Sequence, residues 1–252
     1  MQMTGNTIFI TGGGSGIGRG LAESFHRLGN KVIISGRRAD RLKATVDANP
    51  GMAAIELDVS DPASITRVAA DLIVEHPSLN VLINNAGIML LDDVGGAIDE
   101  HLLVSTVTTN FGGPIRLSAA LIDHLKVQAS PVIVNVTSVL GFVPLVPTAI
   151  YSAMKAALHS YTLSQRYALR SEGVQVIELA PPWVRTELLN STEEERAMPL
   201  APFIEGVMAQ FADGSDEILV GEAVSMRANP GAGEHGWVTE FNNLMTGGPA
   251  LG

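Results

Sequence analysis

Tyr151 and Lys155, the ends of the stretch Tyr-Ser-Ala-Met-Lys, set a phenol and an ammonium four residues apart. On a helix that spacing brings both side chains to one face. A free tyrosine has a pKa of about 10, so about one part in a thousand is phenolate at neutral pH. A fixed cation nearby stabilises the phenolate, and each pKa unit is worth about 1.4 kcal/mol. The pair therefore makes a proton donor and acceptor usable near neutral pH. Ser138 stands thirteen residues before Tyr151, just past the β-branched run Pro-Val-Ile-Val-Asn-Val-Thr, and could hold a substrate oxygen beside the phenol. Tyr and Lys at this spacing also arise by chance on helix surfaces, so the pair takes its meaning from the elements around it.

Those elements alternate. Short, mostly continuously apolar runs at 7–11, 31–35, 52–57, 80–84, 131–137, 174–179 and 217–220 read as strands covered on both faces. Amphipathic stretches at 16–29, 38–48, 62–75, 97–128, 150–171 and 193–212 read as the helices between them. The expected fold is α/β: a single-domain, Rossmann-type, doubly wound parallel sheet of about seven strands with helices on both faces. Gly-Gly-Pro at 112–114 is expected to bend or divide the fourth helix. No internal repeat or composition break marks a second domain, so 1–252 reads as one unit.

In open α/β sheets ligands sit beyond the carboxyl ends of the strands, and the unusual residues of this chain gather there. The first strand runs into Thr-Gly-Gly-Gly-Ser-Gly-Ile-Gly, Thr11 to Gly18. Gly12, Gly16 and Gly18 suit a turn whose backbone approaches a pyrophosphate at a helix N-terminus; the plainer reading is a glycine-rich turn before an ordinary helix. The second strand ends in Ser-Gly-Arg-Arg. No acid stands there to hold a free ribose; Arg37 and Arg38 suit a 2′-phosphate, with Ser35 beside them. Arg37 is favoured because it comes first, and a solvated basic start to the next helix is the alternative. Asp58 could accept from an adenine amino group, while Asp61 before Pro62 reads as a helix cap. Asn84 braces neighbouring strand ends, touches a cofactor, or does both, and Gly87 lets the backbone pass close to a ribose.

Composition narrows the field. The 252 residues are 46% hydrophobic with 26 glycines, enough for a sizeable core and many tight turns. There is no cysteine, which excludes disulfides and cysteine chemistry and fits a cytoplasmic protein. A formal net charge of −10 disfavours nucleic acid and anionic membranes as partners. No apolar run reaches the roughly 18 residues that span a bilayer, and the first residues lack the pattern of a secretory signal. The six histidines show no paired metal spacing and read as surface or helix residues, so no metal is expected. Asn-Ser-Thr at 190–192 reads as a chance sequon. Glu193–Glu195 read as the solvated first turn of a helix, with a substrate contact as the alternative.

Together these motifs resemble the short-chain dehydrogenase/reductase family over about residues 5–190, and within it the branch named after the D-alanyl-lipoteichoic-acid operon oxidoreductase. The resemblance rests on the glycine-rich turn, Asn-Asn-Ala-Gly at 84–87, the Ser138–Tyr151–Lys155 set and Ala-Pro-Pro-Trp-Val-Arg-Thr at 180–186. It implies a catalytic set of Asn110, Ser138, Tyr151 and Lys155. In that set Tyr151 is the general acid/base, Lys155 also holds the nicotinamide ribose, and Asn110 supports a water that leads protons from Lys155 to solvent. It extends the cofactor-binding residues to Gly14, Ser15, Ile17, Val59, Asn85 and Ala86. It also brings in Thr186 for the carboxamide, with Pro181 and Val184 beside the ring. Two departures stand out: Pro182–Trp183 where the family has Gly after the proline, and an ending, Asn-Asn-Leu-Met-Thr-Gly-Gly-Pro-Ala-Leu-Gly, without the usual Asp-Gly-Gly.

The resulting expectation is an NADP(H)-dependent oxidoreductase, with NAD(H) possible, that moves hydride between nicotinamide and a carbonyl or secondary alcohol. The pocket is expected to draw on 139–147, Trp183 and 187–212, mostly apolar, and so to suit a hydrophobic or aromatic carbonyl. The cofactor and catalytic core is placed at 5–190, the substrate lid and C-terminal segment at 187–252. The family implies a homodimer or homotetramer through helices 97–128 and 150–171. The rivals are a catalytically idle NADP-binding regulator and, on the same fold, an epimerase or dehydratase.

Overall fold

The computed structural model describes residues 1–228 and 231–247. Seven parallel strands form one sheet: β1 (Thr7–Thr11), β2 (Lys31–Gly36), β3 (Ala53–Glu56), β4 (Leu79–Asn84), β5 (Val132–Val136), β6 (Gln175–Leu179) and β7 (Glu217–Ile218). Their spatial order is β3-β2-β1-β4-β5-β6-β7, so the winding reverses between β1 and β4. β1, β4 and β5 are buried along their whole length, as their unbroken apolar runs require, whereas the edge strand β3 alternates half-buried and exposed residues.

The period of two along β1 feeds two cores. Ile8 and Ile10 point to one face, where they pack with Leu21 and Phe25 of α1 (Gly16–Arg27) and with Phe203, Val207 and Phe211 of α7 (Leu200–Asp213). The rings of Phe25 and Phe211 stand 5.6 Å apart. Phe9 points the other way, toward Val68 and Leu72 of α3 (Pro62–Glu75) and Leu117 and Leu121 of α5 (Gly113–Lys126). The remaining helices are α2 (Ala39–Ala48), α4 (Glu100–Val107), α6 (Ala149–Leu169), α8 (Ala223–Arg227) and α9 (Glu234–Thr246). Among the described residues no helix is long and apolar enough to cross a membrane.

Three local outcomes shape the cleft. The expected helix 97–128 is divided, with a π-turn over Thr108–Gly112 between α4 and α5. Pro114 has no N–H to give the carbonyl four residues earlier, that of Asn110, which disfavours regular α geometry there. The expected helix 193–212 starts only at Leu200, preceded by a 3₁₀ segment, Leu188–Glu193. Glu193–Glu195 are therefore not the first turn of a helix. Instead the Glu194 carboxylate accepts from the Arg196 guanidinium and amide, which hold it down to about 2. Finally, α8 and α9 fall where sequence periodicity gave no helix, and residues 248–252 of the atypical ending lie outside the described residues.

Candidate active site

One cleft of ≈1320 Å³ runs across the carboxyl ends of the strands at the β1/β4 reversal. Its volume exceeds the 300–1,000 Å³ usual for a single small ligand and suits a dinucleotide and a substrate together.

At one end lies the glycine-rich turn. Gly12 has φ +69°, a left-handed conformation that disfavours any side chain. Asn85 locks this turn to β4: its Nδ2 donates to the Thr11 carbonyl at 2.9 Å, and the Thr11 hydroxyl accepts from the amides of Asn85 and Ala86, both at 3.0 Å. Gly18 is buried under that clasp, where a Cβ would stand 2.4 Å from both Asn85 Nδ2 and the Gly12 oxygen. Gly12, Gly14, Ser15, Gly16, Ile17, Asn85, Ala86 and Gly87 line the cleft, whereas Gly18 does not and serves packing. A bare backbone at a helix N-terminus fits a pyrophosphate.

At the end of β2, Arg37, Arg38 and Arg41 line the rim. Ser35, expected beside them, is fully buried and takes no part. Arg38 and Arg41 are engaged with Glu187, whereas Arg37 acts on Asp58. Burial raises the Asp58 pKa, but the Ser60 hydroxyl and amide and the Arg37 charge outweigh it and hold the carboxyl below its usual value. Asp58 and Val59 both line the cleft. Asp61 caps α3 by accepting from Ala63 N at 2.9 Å.

Asn84 is buried and braces the strands: its Nδ2 donates to Ser118 Oγ at 3.0 Å and to Asn135 Oδ1 at 2.9 Å. Asn135 hands the chain on to Thr162 and Gln165 of α6. Of the two readings left open for Asn84, bracing is what this geometry provides.

Ser138, Tyr151 and Lys155 meet on the cleft floor. Ser138 caps the short 3₁₀ turn after β5, its Oγ accepting from Leu140 N at 3.1 Å. Tyr151 and Lys155 lie one turn apart on α6, 6% and 4% exposed. Asp92 fixes the start of that helix, accepting from the amides of Ala149 and Ile150. Lys155 Nζ donates to the Val136 carbonyl at 2.8 Å. The expectation that the ammonium draws the phenol pKa down is not met. Burial pushes Tyr151 up to about 12, against a smaller lowering by Ser138, and burial pushes Lys155 down to about 8. Desolvation of each charged form sets both directions.

Asn110 is fully buried in the π-turn and does not line the cleft. Its amide clasps the backbone of Ile88, accepting from N at 2.8 Å and donating to O at 2.7 Å, and so fixes the segment after Gly87. A Cβ on Gly87 would stand 3.1 Å from Asn110 Oδ1 and 3.8 Å from Lys155 Nζ.

The substrate side is apolar. Val139, Leu140, Leu145, Pro181, Trp183 and Val184 line it, with Thr186, Leu188, Leu189, Ser191 and Thr192. Trp183, next to the Pro182 that stands where the family has glycine, carries the Arg196 guanidinium 5.0 Å from its ring. Residues 197–212 contribute nothing to this wall, because α7 spends its apolar face on α1. α9 takes that place: Trp237, Phe241, Leu244 and Met245 line the cleft. Asn242 ties α9 to the 144–146 loop, accepting from Val146 N at 2.6 Å and donating to the Pro144 oxygen at 2.9 Å. The i, i+4 pair Trp237–Phe241 was the signal for this wall, diluted by the polar residues around it.

Of the histidines read as surface or helix residues, His26, His76, His124 and His159 are half-buried. His159 meets the fully buried Glu178 at 2.8 Å, with Glu217 in the same cluster. The Thr137 hydroxyl and Arg227 satisfy those carboxylates, so the cluster is an ion-paired brace behind β5 and β6.

Residues 6–197 match the family model described as short chain dehydrogenase. The chain is 39% identical over 219 residues to the uncharacterized oxidoreductase DltE of Bacillus subtilis, covering 86% of this chain and 87% of that one. It is 34% identical over 199 residues to the NADPH-dependent 1-acyldihydroxyacetone phosphate reductase of Schizosaccharomyces pombe, covering 76% of this chain and 65% of that one. Among solved structures, it resembles a short chain dehydrogenase from Burkholderia cenocepacia in complex with NADP. That likeness has a TM-score of 0.83 and 27% identity over 94% of this chain and 99% of that one.

Proposed function

The chain belongs to the short chain dehydrogenase family, in the branch of the Bacillus subtilis oxidoreductase DltE, and from that premise we propose that it is an NADP(H)-dependent carbonyl reductase. Its substrates are hydrophobic or aromatic ketones and aldehydes, or the matching secondary alcohols in reverse. The observation that carries this reading is the meeting of Ser138, Tyr151 and Lys155 on the floor of one cleft whose far end holds the glycine-rich turn and the arginines.

When bound, the nicotinamide cofactor supplies or accepts the hydride. The chain's own residues handle the proton and the positioning. With its pKa near 12, Tyr151 is protonated at neutral pH and gives its proton to the substrate oxygen as that oxygen gains charge. Ser138 Oγ accepts from Leu140 N and its hydroxyl reaches Tyr151, so its proton suits an oxygen placed beside the phenol. Lys155 spends one of its three protons on Val136 and has two left for ribose hydroxyls and for recharging Tyr151. Asn110 holds the turn behind them, and its carbonyl, which Pro114 cannot cap, suits a water on the route from Lys155 to solvent.

The absence of an acid at the end of β2 and the three arginines there support a 2′-phosphate, hence NADP(H), in line with the NADP and NADPH named for the similar proteins. The apolar wall of Leu140, Trp183, Trp237 and Phe241 supports the substrate class. We read the chain as one domain that works as a homodimer or homotetramer in the cytoplasm. The test is NADPH oxidation at 340 nm with a panel of aryl and aliphatic ketones. Turnover faster with NADPH than with NADH is expected. Saturable cofactor binding with no turnover on any carbonyl would favour an idle cofactor-binding protein and overturn the reading.

A further inference from the structure

The arginines at the end of β2 already hold an anion. Glu187 Oε2 lies 3.1 Å from Arg38 Nη1, and its Oε1 lies 3.1 Å from Arg41 Nη1, so one carboxylate is divided between two guanidinium groups. Arg38 turns its other nitrogen to Ser15 Oγ at 3.0 Å, in the glycine-rich turn. Glu187 follows Thr186, whose side chain stands 3.3 Å from where Gly16 would carry a Cβ. The two ion pairs thus join opposite walls of the cleft directly over the phosphate-binding turn. All three side chains remain 39–54% exposed, open to exchange with a solute.

We propose that the Glu187 carboxylate is an internal stand-in for the cofactor's 2′-phosphate. It holds Arg38 and Arg41 until the phosphate displaces it, so residue 187 sets the margin by which the chain prefers NADP(H) over NAD(H). The inference rests on the cofactor reading given above. Carboxylate and phosphate monoester take the same guanidinium forks, and a phosphate carries more charge and more acceptor oxygens. The exchange therefore favours the phosphate but is taxed by the two pairs it breaks and by repulsion from the freed carboxylate. Exposed pairs are weak, so the tax is about threefold to tenfold in affinity. A cofactor without the 2′-phosphate leaves the pairs in place and escapes the tax.

The test is binding to the full chain: NADPH and NADH by cofactor fluorescence, and 2′-AMP and 5′-AMP by calorimetry, for wild type and Glu187→Gln. The variant is expected to bind NADPH and 2′-AMP about threefold to tenfold tighter, with NADH and 5′-AMP changed less than twofold. The gain should shrink at high salt, which screens the wild-type pairs. A variant that binds NADPH and 2′-AMP no better, that gains equally for all four ligands, or that binds NADPH more weakly overturns the proposal. The cofactor reading is judged separately. Wild type binding NADH more tightly than NADPH would defeat that reading, while the 2′-AMP and 5′-AMP arms would still report on Glu187.

Discussion

The Lys155 ammonium lies 5.5 Å from the centre of the Tyr151 ring, tethered to the Val136 carbonyl. A buried ammonium is costly, and its pKa falls from 10.5 to about 8. The sign follows from linkage. Between about pH 8 and 10.5 the unfolded chain binds a proton at this lysine that the folded chain does not, so stability rises with pH across that window. The rise is roughly 3 kcal/mol from this group, cut short above pH 10, where unfolded tyrosine ionises and Tyr151, held near 12, does not. In urea unfolding at pH 8 to 10, Lys155→Met should lose this rise; parallel curves for variant and wild type would contradict it.

Gly18→Ala should do more harm than Gly20→Ala. The first puts a methyl 2.4 Å from the backbone oxygen of Gly12 and from the Asn85 amide, neither free to move without opening the turn. The second meets only the Ile204 side chain, at 2.8 Å, which can yield. Gly18→Ala is expected to cost about 1–3 kcal/mol and more than tenfold in cofactor affinity. Gly20→Ala should leave affinity within about twofold, as calorimetry would show.

Asn84→Ala removes two buried hydrogen bonds and leaves Asn135 Oδ1 without its donor. A loss of about 2 kcal/mol in stability is expected. Cofactor affinity per folded molecule should hold, because Asn84 lies outside the cleft lining. Loss of affinity without loss of stability would return Asn84 to the cofactor site.

The strands were legible because a strand covered on both faces must be apolar throughout, and β1, β4 and β5 are. The cleft floor was legible because Tyr151 and Lys155 share one helix and Ser138 ends one strand. The pKa directions were not, since burial depends on neighbours such as Val139 and Met226 that pack around Tyr151 from distant segments. Nor was the wall from α9, where Trp237 and Phe241 stand among polar residues and show their direction only once Asn242 docks on the 144–146 loop. Arg41 carries no signal beyond its charge in the helix, and only the fold brings Glu187, 146 positions later, against it.

The central claim is that Tyr151 delivers the proton. Tyr151→Phe keeps the ring in its packing and deletes only the hydroxyl, so the most direct measurement is single-turnover reduction of an aryl ketone by pre-bound NADPH, alongside cofactor affinity. The account predicts a rate lower by about 10²–10⁴-fold with affinity within about twofold. Undiminished turnover by the phenylalanine variant would contradict it.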